Sequence, residues 1–205
     1  MKLSAQPAPS SRRILNLFDV LFNRAFGHQL NPLYRSGSLT ILLMTIVILT
    51  GFILSFFYRL GNPYESVVSI QENTWLLRHL RSLHRYASDA AVLAVVLHII
   101  RMFAQGKSER TKAFAWISGV VLFIFLFVSG WTGYVMVWDA QAQSIALAGA
   151  RIVDSLGILS DPIIRSFNGS INVPPPSFFF LNLFLHLVLH QLINYLLSNI
   201  QQYSL

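Results

Sequence analysis

A chain of 205 residues with 54% hydrophobic and only 11% charged side chains, and a mean hydropathy of +0.56, is too apolar for a soluble globular domain and points to a membrane. Its net charge of +7 is read first through membrane topology, and no nucleic-acid partner is expected. The absence of cysteine excludes disulfides, cysteine-ligated iron–sulfur clusters and thioether-linked haem.

Residues 1–13 are polar and proline-bearing, lack the apolar core of a signal peptide, and are expected to form a disordered tail. In residues 14–30, Ile14, Leu17, Phe18, Leu21, Phe22 and Phe26 recur at helical spacing against Arg12, Arg13, Asp19, Asn23 and Arg24, which predicts an amphipathic helix on the membrane surface. Residues 31–205 are expected to form a bundle of four transmembrane helices, at about 38–58, 79–103, 114–138 and 178–197, each able to cross a core about 30 Å thick. The connection from Asp139 to Ser177 is too apolar for a plain linker. Asp161, Pro162 and the stripe Ile163, Ile164 and Phe167 predict a short helix there, and Ser177 is a candidate cap for the last span. Four spans put both termini on one side. That side carries Lys2, Arg12, Arg13, Arg24, Arg35, Arg101, Lys107, Arg110 and Lys112 against Asp19 and Glu109, so it is read as the cytoplasmic side of a bacterial inner membrane or an equivalent energy-transducing membrane.

His84 and His98 stand fourteen positions apart in the second span, nearly on one helix face and about 21 Å apart along the axis. Imidazoles are costly in hydrocarbon and ask for a partner, and two at this spacing suit two haem irons at different depths of one bilayer. Gly37 and Gly51 beside or in the first span, and Gly119 and Gly133 in the third, repeat the same interval. Paired glycines would let large flat rings approach the backbone at both depths; the plainer alternative is small-residue helix packing with structural histidines.

These residues resemble the N-terminal, haem-bearing half of cytochrome b from quinol-oxidising cytochrome bc complexes, in the short form where that half is a separate chain. The likeness runs from Leu17 to Leu197. It is carried by Thr50-Gly51, by Arg81-Ser-Leu-His84 with His98 and Arg101 following, by Gly133-Tyr-Val-Met-Val-Trp138, and by His186 in the fourth span. The resemblance implies a haem b near the outer face held by His84 and His186, a second haem b near the inner face held by His98, and Arg81 and Arg101 as neutralisers of haem propionates. It also implies a quinone, a second membrane subunit that completes the bundle, and a Rieske or c-type cytochrome subunit as partners within the lipid bilayer.

Two departures stand out. The family's second histidine of the fourth span belongs about fourteen residues beyond His186, where the chain reads Asn199-Ile200-Gln201-Gln202. His190, only about 6 Å along the axis from His186, does not reach the inner level. The inner haem is therefore five-coordinate on His98, or ligated by Asn199, Gln201 or another chain, or lost. The family's Pro-Glu-Trp-Tyr segment is absent as well, and Val137 stands where the family's version of the Gly133 to Trp138 motif has proline. Met136, Trp138, Asp139 and Ile145 would be the retained wall of an outer quinol pocket that needs another subunit. Asp89, one turn beyond His84, is expected to pair with His190 inside the bundle.

The expected protein is thus an all-α, four-helix haem-binding membrane bundle with an N-terminal amphipathic surface helix. It is read as a b-type cytochrome subunit passing electrons between the quinone pool and partner redox subunits, and not as a self-sufficient enzyme. The alternatives are a haem-bearing anchor of a dehydrogenase or reductase without an outer quinol site, and a structural subunit without redox work.

Overall fold

The computed structural model describes residues 9–104, 113–157 and 174–202. All regular structure among them is helical: α1 (Pro9–Leu30), α2 (Ser36–Ser55), α3 (Pro63–Glu72), α4 (Trp75–Ala104), α5 (Ala113–Val135), α6 (Ala140–Ser155) and α7 (Pro176–Gln202). Four of these are long and apolar enough to cross a membrane, over Ser36–Ser55, Trp75–Ala104, Trp116–Val135 and Pro176–Ile193. A helix satisfies its backbone internally, which hydrocarbon demands. At 30 residues α4 is about 45 Å long, so it projects beyond a core of about 30 Å.

The surface helix expected from residue 14 begins at Pro9 and bends at Gly27, whose φ of 73° and ψ of 159° suit a residue without Cβ. Residues 1–8 and the short helix expected after Asp161 lie outside the described residues. Ser177 falls inside the first turn of α7, which starts one residue earlier, so it is not the cap. Two helices escaped the sequence reading. Pro63 opens α3 at its first turn with Glu65 beside it. Asp139 caps α6, its Oδ1 accepting from the Ala142 amide at 2.7 Å. Between α5 and α6, Trp138 takes a φ of 55°, a left-handed conformation that costs a non-glycine residue of order 1–3 kcal/mol. Burial of its indole among Val135, Ala146 and Phe179 holds it there.

The chain divides into two compact units. The first comprises residues 1–47, 85–127 and 191–205. Its core is Met44, Ala91, Val95, Leu122, Leu126 and Ile193, with Leu43, Val92, Ile99, Phe123 and Phe125 packed around them. The small face of α4 (Ala87, Ala91, Ala94) is buried, which permits close helix approach where lipid supplies no hydrophobic drive. Asp19 ties α1 to this unit: it accepts from Arg101 Nη1 at 2.7 Å and Nη2 at 3.3 Å, and the Arg101 guanidinium lies 4.7 Å from the centre of the Tyr34 ring. Asn31, fully buried, donates to Asn23, which donates to the Tyr34 hydroxyl.

The second unit comprises residues 48–84 and 128–190. Its apolar cluster of Val135, Trp138, Ala146 and Phe179 is flanked by Leu60, Trp131 and Phe178. Ala142, Ala146 and Ala150 give α6 a buried stripe of small residues at one-turn intervals. Gly149 extends it, since a Cβ there would collide with the Trp131 indole. The Tyr58 hydroxyl donates to the Met136 carbonyl at 2.8 Å, and burial pushes its pKa well above the ordinary value, so it stays a donor.

Candidate functional site

In the second unit three imidazoles gather: His84 from α4, and His186 and His190 from α7, one turn apart on the same face. Ring centroids are 6.1 Å apart for His84 and His186, 6.4 Å for His84 and His190, and 4.4 Å for His186 and His190. Both α7 histidines are buried, at 8% and 7% exposure.

Each ring is held by its Nδ1. The Nδ1 of His186 is 2.8 Å from the Ser129 carbonyl, and that of His190 is 2.8 Å from the His186 carbonyl. A carbonyl oxygen only accepts, so both rings carry their proton on Nδ1 and present the Nε2 lone pair. Ser129 Oγ adds a contact to His190 Nδ1 at 2.6 Å, and Thr132 Oγ1 one to His186 Nδ1 at 3.4 Å while donating to the Ser129 carbonyl. His84 Nδ1 lies 3.1 Å from Thr50 Oγ1. This is the outer-shell arrangement that fixes ring orientation and tautomer in metal-ligating histidines.

The glycines complete the cradle. A Cβ on Gly51 would lie 2.8 Å from His84 Cε1, and one on Gly133 2.7 Å from His186 Cε1, closer than real Cβ atoms approach. In the first unit the same design recurs once: His98 Nδ1 is 3.0 Å from Ser36 Oγ, and a Cβ on Gly37 would stand 3.2 Å from His98 Cε1. At Gly119 no described atom lies within 4 Å of the position a Cβ would take. One turn away on α5, the Trp116 Nε1 is buried without a hydrogen-bond partner among the described residues.

A model of the cytochrome b/b6/petB family matches residues 21–203. The chain belongs to the cytochrome b family. Membership makes it an integral membrane subunit of the kind that carries electrons on haem b and works among the partners of bc-type complexes.

The donor set of this cytochrome b fits that cofactor. Two metal–imidazole bonds of about 2 Å and two ring radii add to about 6 Å between centroids, which the His84 and His186 rings match. Among the described residues no three His, Cys, Asp or Glu side chains converge to hold a bare ion, whereas a porphyrin brings four nitrogens of its own and asks the protein only for axial donors. The orphaned indole of Trp116 beside open space at Gly119 suits a bound group that supplies an acceptor.

Other candidates fare unevenly. Arg101 is paired with Asp19, and Arg81 donates to Gln71 Oε1 at 2.8 Å. Asp89 is corrected: it lies exposed on α4 instead of buried, and the polar contacts of His190 go to Ser129 and the His186 carbonyl. Trp138, Asp139, Met136 and Ile145 are all engaged in the α5–α6 corner, through burial, capping and carbonyl bonds to Tyr58 and Trp131. His79 is exposed and bonds the Trp75 carbonyl, as a surface residue does.

Sequence reasoning named Thr50-Gly51 but missed that a hydroxyl precedes each of the other three glycines of the fourteen-residue pairs: Ser36-Gly37, Ser118-Gly119 and Thr132-Gly133. The dipeptide repeats at the same interval of fourteen and was there to be read. It also missed His190 as a neighbour of His84. The signal was its one-turn spacing from His186, which places both on one face of a helix.

Proposed function

We propose that this cytochrome b holds one haem b between His84 and His186 and a second on His98, and passes electrons between a quinone pool and partner redox subunits. The observation that carries the reading is the facing pair His84 and His186, each fixed through Nδ1 and each seated on a glycine. When bound, haem supplies a one-electron iron couple. The chain's own residues then orient the axial nitrogens, set ligand basicity through Thr50, Ser129 and Ser36, and exclude water by burying His186.

The sequence of α7 carries no histidine beyond His190, which favours an open or foreign sixth position and a high-spin iron for the haem on His98. Gly37, the open space at Gly119 and the unpartnered Trp116 indole support an occupied pocket there. The quinol site at the outer face is completed by a second membrane subunit, and a Rieske or c-type cytochrome subunit takes the electron. The excess of Lys and Arg around α1 and between α4 and α5 supports cytoplasmic termini.

The test is a pyridine haemochrome count with a redox titration on the purified complex. Two haems b per chain, one low-spin and one that binds cyanide, are expected. One haem removes the His98 site, and a colourless protein overturns the whole reading.

A further inference from the structure

We propose that His190 is an alternate axial donor, so that an iron held by His84 can be closed from α7 by either of two imidazoles one turn apart. The inference rests on the reading that His84 ligates haem.

Three observations converge on it. First, His84 is nearly equidistant from the two α7 rings, at 6.1 Å from His186 and 6.4 Å from His190, and both separations suit two imidazoles on opposite sides of one metal. Second, the two rings are in the same chemical state. Among the described residues every hydrogen bond of either ring runs through Nδ1, and each Nδ1 has one carbonyl and one hydroxyl oxygen in reach; the carbonyl only accepts, which puts the proton on Nδ1 and leaves both Nε2 atoms as lone-pair donors. Third, one residue serves both: the Ser129 carbonyl fixes His186 while its hydroxyl fixes His190.

A structural histidine would need a partner for its polar atoms and nothing more. His190 is buried in a membrane span with its Nδ1 satisfied twice over and its remaining nitrogen in a cluster with two other imidazoles. Leucine would fill that position in hydrocarbon without the cost of burying a polar ring. Exchange is balanced and needs no co-reactant: the bond from iron to His186 Nε2 breaks as the bond to His190 Nε2 forms, and neither electrons nor protons change hands.

The experiment is done on the full complex in a His98→Leu background, which leaves only the haem on His84. His186→Ala is expected to keep its haem and a low-spin spectrum, with shifted electron paramagnetic resonance g-values; His190→Leu keeps the parental spectrum; the double variant becomes high-spin or loses haem. A high-spin or haem-free His186→Ala chain beside a normal His190→Leu chain overturns the assignment. Should His186→Ala fail to fold, carbon monoxide photolysis decides: the two imidazoles return to ferrous iron in two kinetic phases, and His190→Leu removes one. A single phase that His190→Leu leaves unchanged overturns it. Loss of the haem already in the His98→Leu parent, with none on His84, is failure of the ligation reading and is distinguishable from both.

Discussion

The two units are built to one recipe and stocked differently. In each, a hydroxyl residue and a glycine on α2 meet a histidine of α4: Thr50, Gly51 and His84 in one, Ser36, Gly37 and His98 in the other. On α5, Thr132 and Gly133 receive His186, while among the described residues no histidine stands within 4 Å of a Cβ on the equivalent glycine, Gly119. The second unit holds one imidazole more than two axial positions need, and the first holds one fewer. On the proposed ligation, α2, α4 and α5 carry the cradle and α7 sets how many axial ligands it receives.

The largest effect that can break this comparison comes from the α4 histidines. His84→Leu removes the donor common to both α7 rings, so the low-spin haem should disappear whatever His186 and His190 do. His98→Leu should remove only the cyanide-reactive haem. Difference spectra with a haem count separate the two outcomes, and loss of both haems in His84→Leu would show that the haem on His98 does not load independently.

Next come the glycines. Gly133→Ala places a methyl 2.7 Å from His186 Cε1, and the ring, pinned through Nδ1 to Ser129, has little room to retreat. A fall in haem affinity of about tenfold or more is expected, in the range seen when outer-shell support of a metal ligand is lost. Gly119→Ala meets no described atom, so it should spare the haem on His84 and lower only the occupancy of the haem proposed to fill the space on His98. Unchanged haem content in Gly119→Ala would show that no macrocycle lies against that glycine.

Much of this was legible beforehand. Membrane class, four spans, a helix over residues 14–30 and glycines at the depths of His84 and His98 follow from hydropathy and from an interval of fourteen, because helix geometry converts sequence spacing directly into depth and face. What escaped reading depended on partners distant in sequence. Nothing local shows that Arg101 will meet Asp19, 82 positions away, or that Asp89 will face outward while His190 bonds Ser129. Helices α3 and α6 were missed because their moderate hydropathy resembles loop, and it took Pro63 and the Asp139 cap, seen in place, to mark their starts.

A smaller effect sharpens the role of the hydroxyls. With His84 bound through Nε2, its Nδ1–H donates to Thr50 Oγ1 and makes the imidazole a better donor to ferric iron. Thr50→Val should therefore raise the midpoint potential of that haem, by about 40 mV if the bond is worth about 1 kcal/mol. Ser36→Ala should do the same for the haem on His98. A potentiometric titration reads both, and a shift in the wrong haem would reassign the ligands.

The smallest effect concerns the clamp between α1 and α4. Asp19 and Arg101 are only 20% and 12% exposed, so their pair lies between a surface ion pair worth almost nothing and a buried one whose rupture costs several kcal/mol. Asp19→Asn should cost about 1–2 kcal/mol, seen as a lower melting temperature in detergent and faster proteolysis within α1. The low-spin haem on His84 should keep its spectrum. The potential of the haem on His98 discriminates between two uses of Arg101. If the guanidinium belongs to Asp19 and Tyr34, as its contacts have it, the potential stays where it was. If it instead neutralises a propionate, removing Asp19 strengthens that contact, favours the ferrous state less burdened by negative charge, and raises the potential; the thermal shift and the potential shift are then expected together.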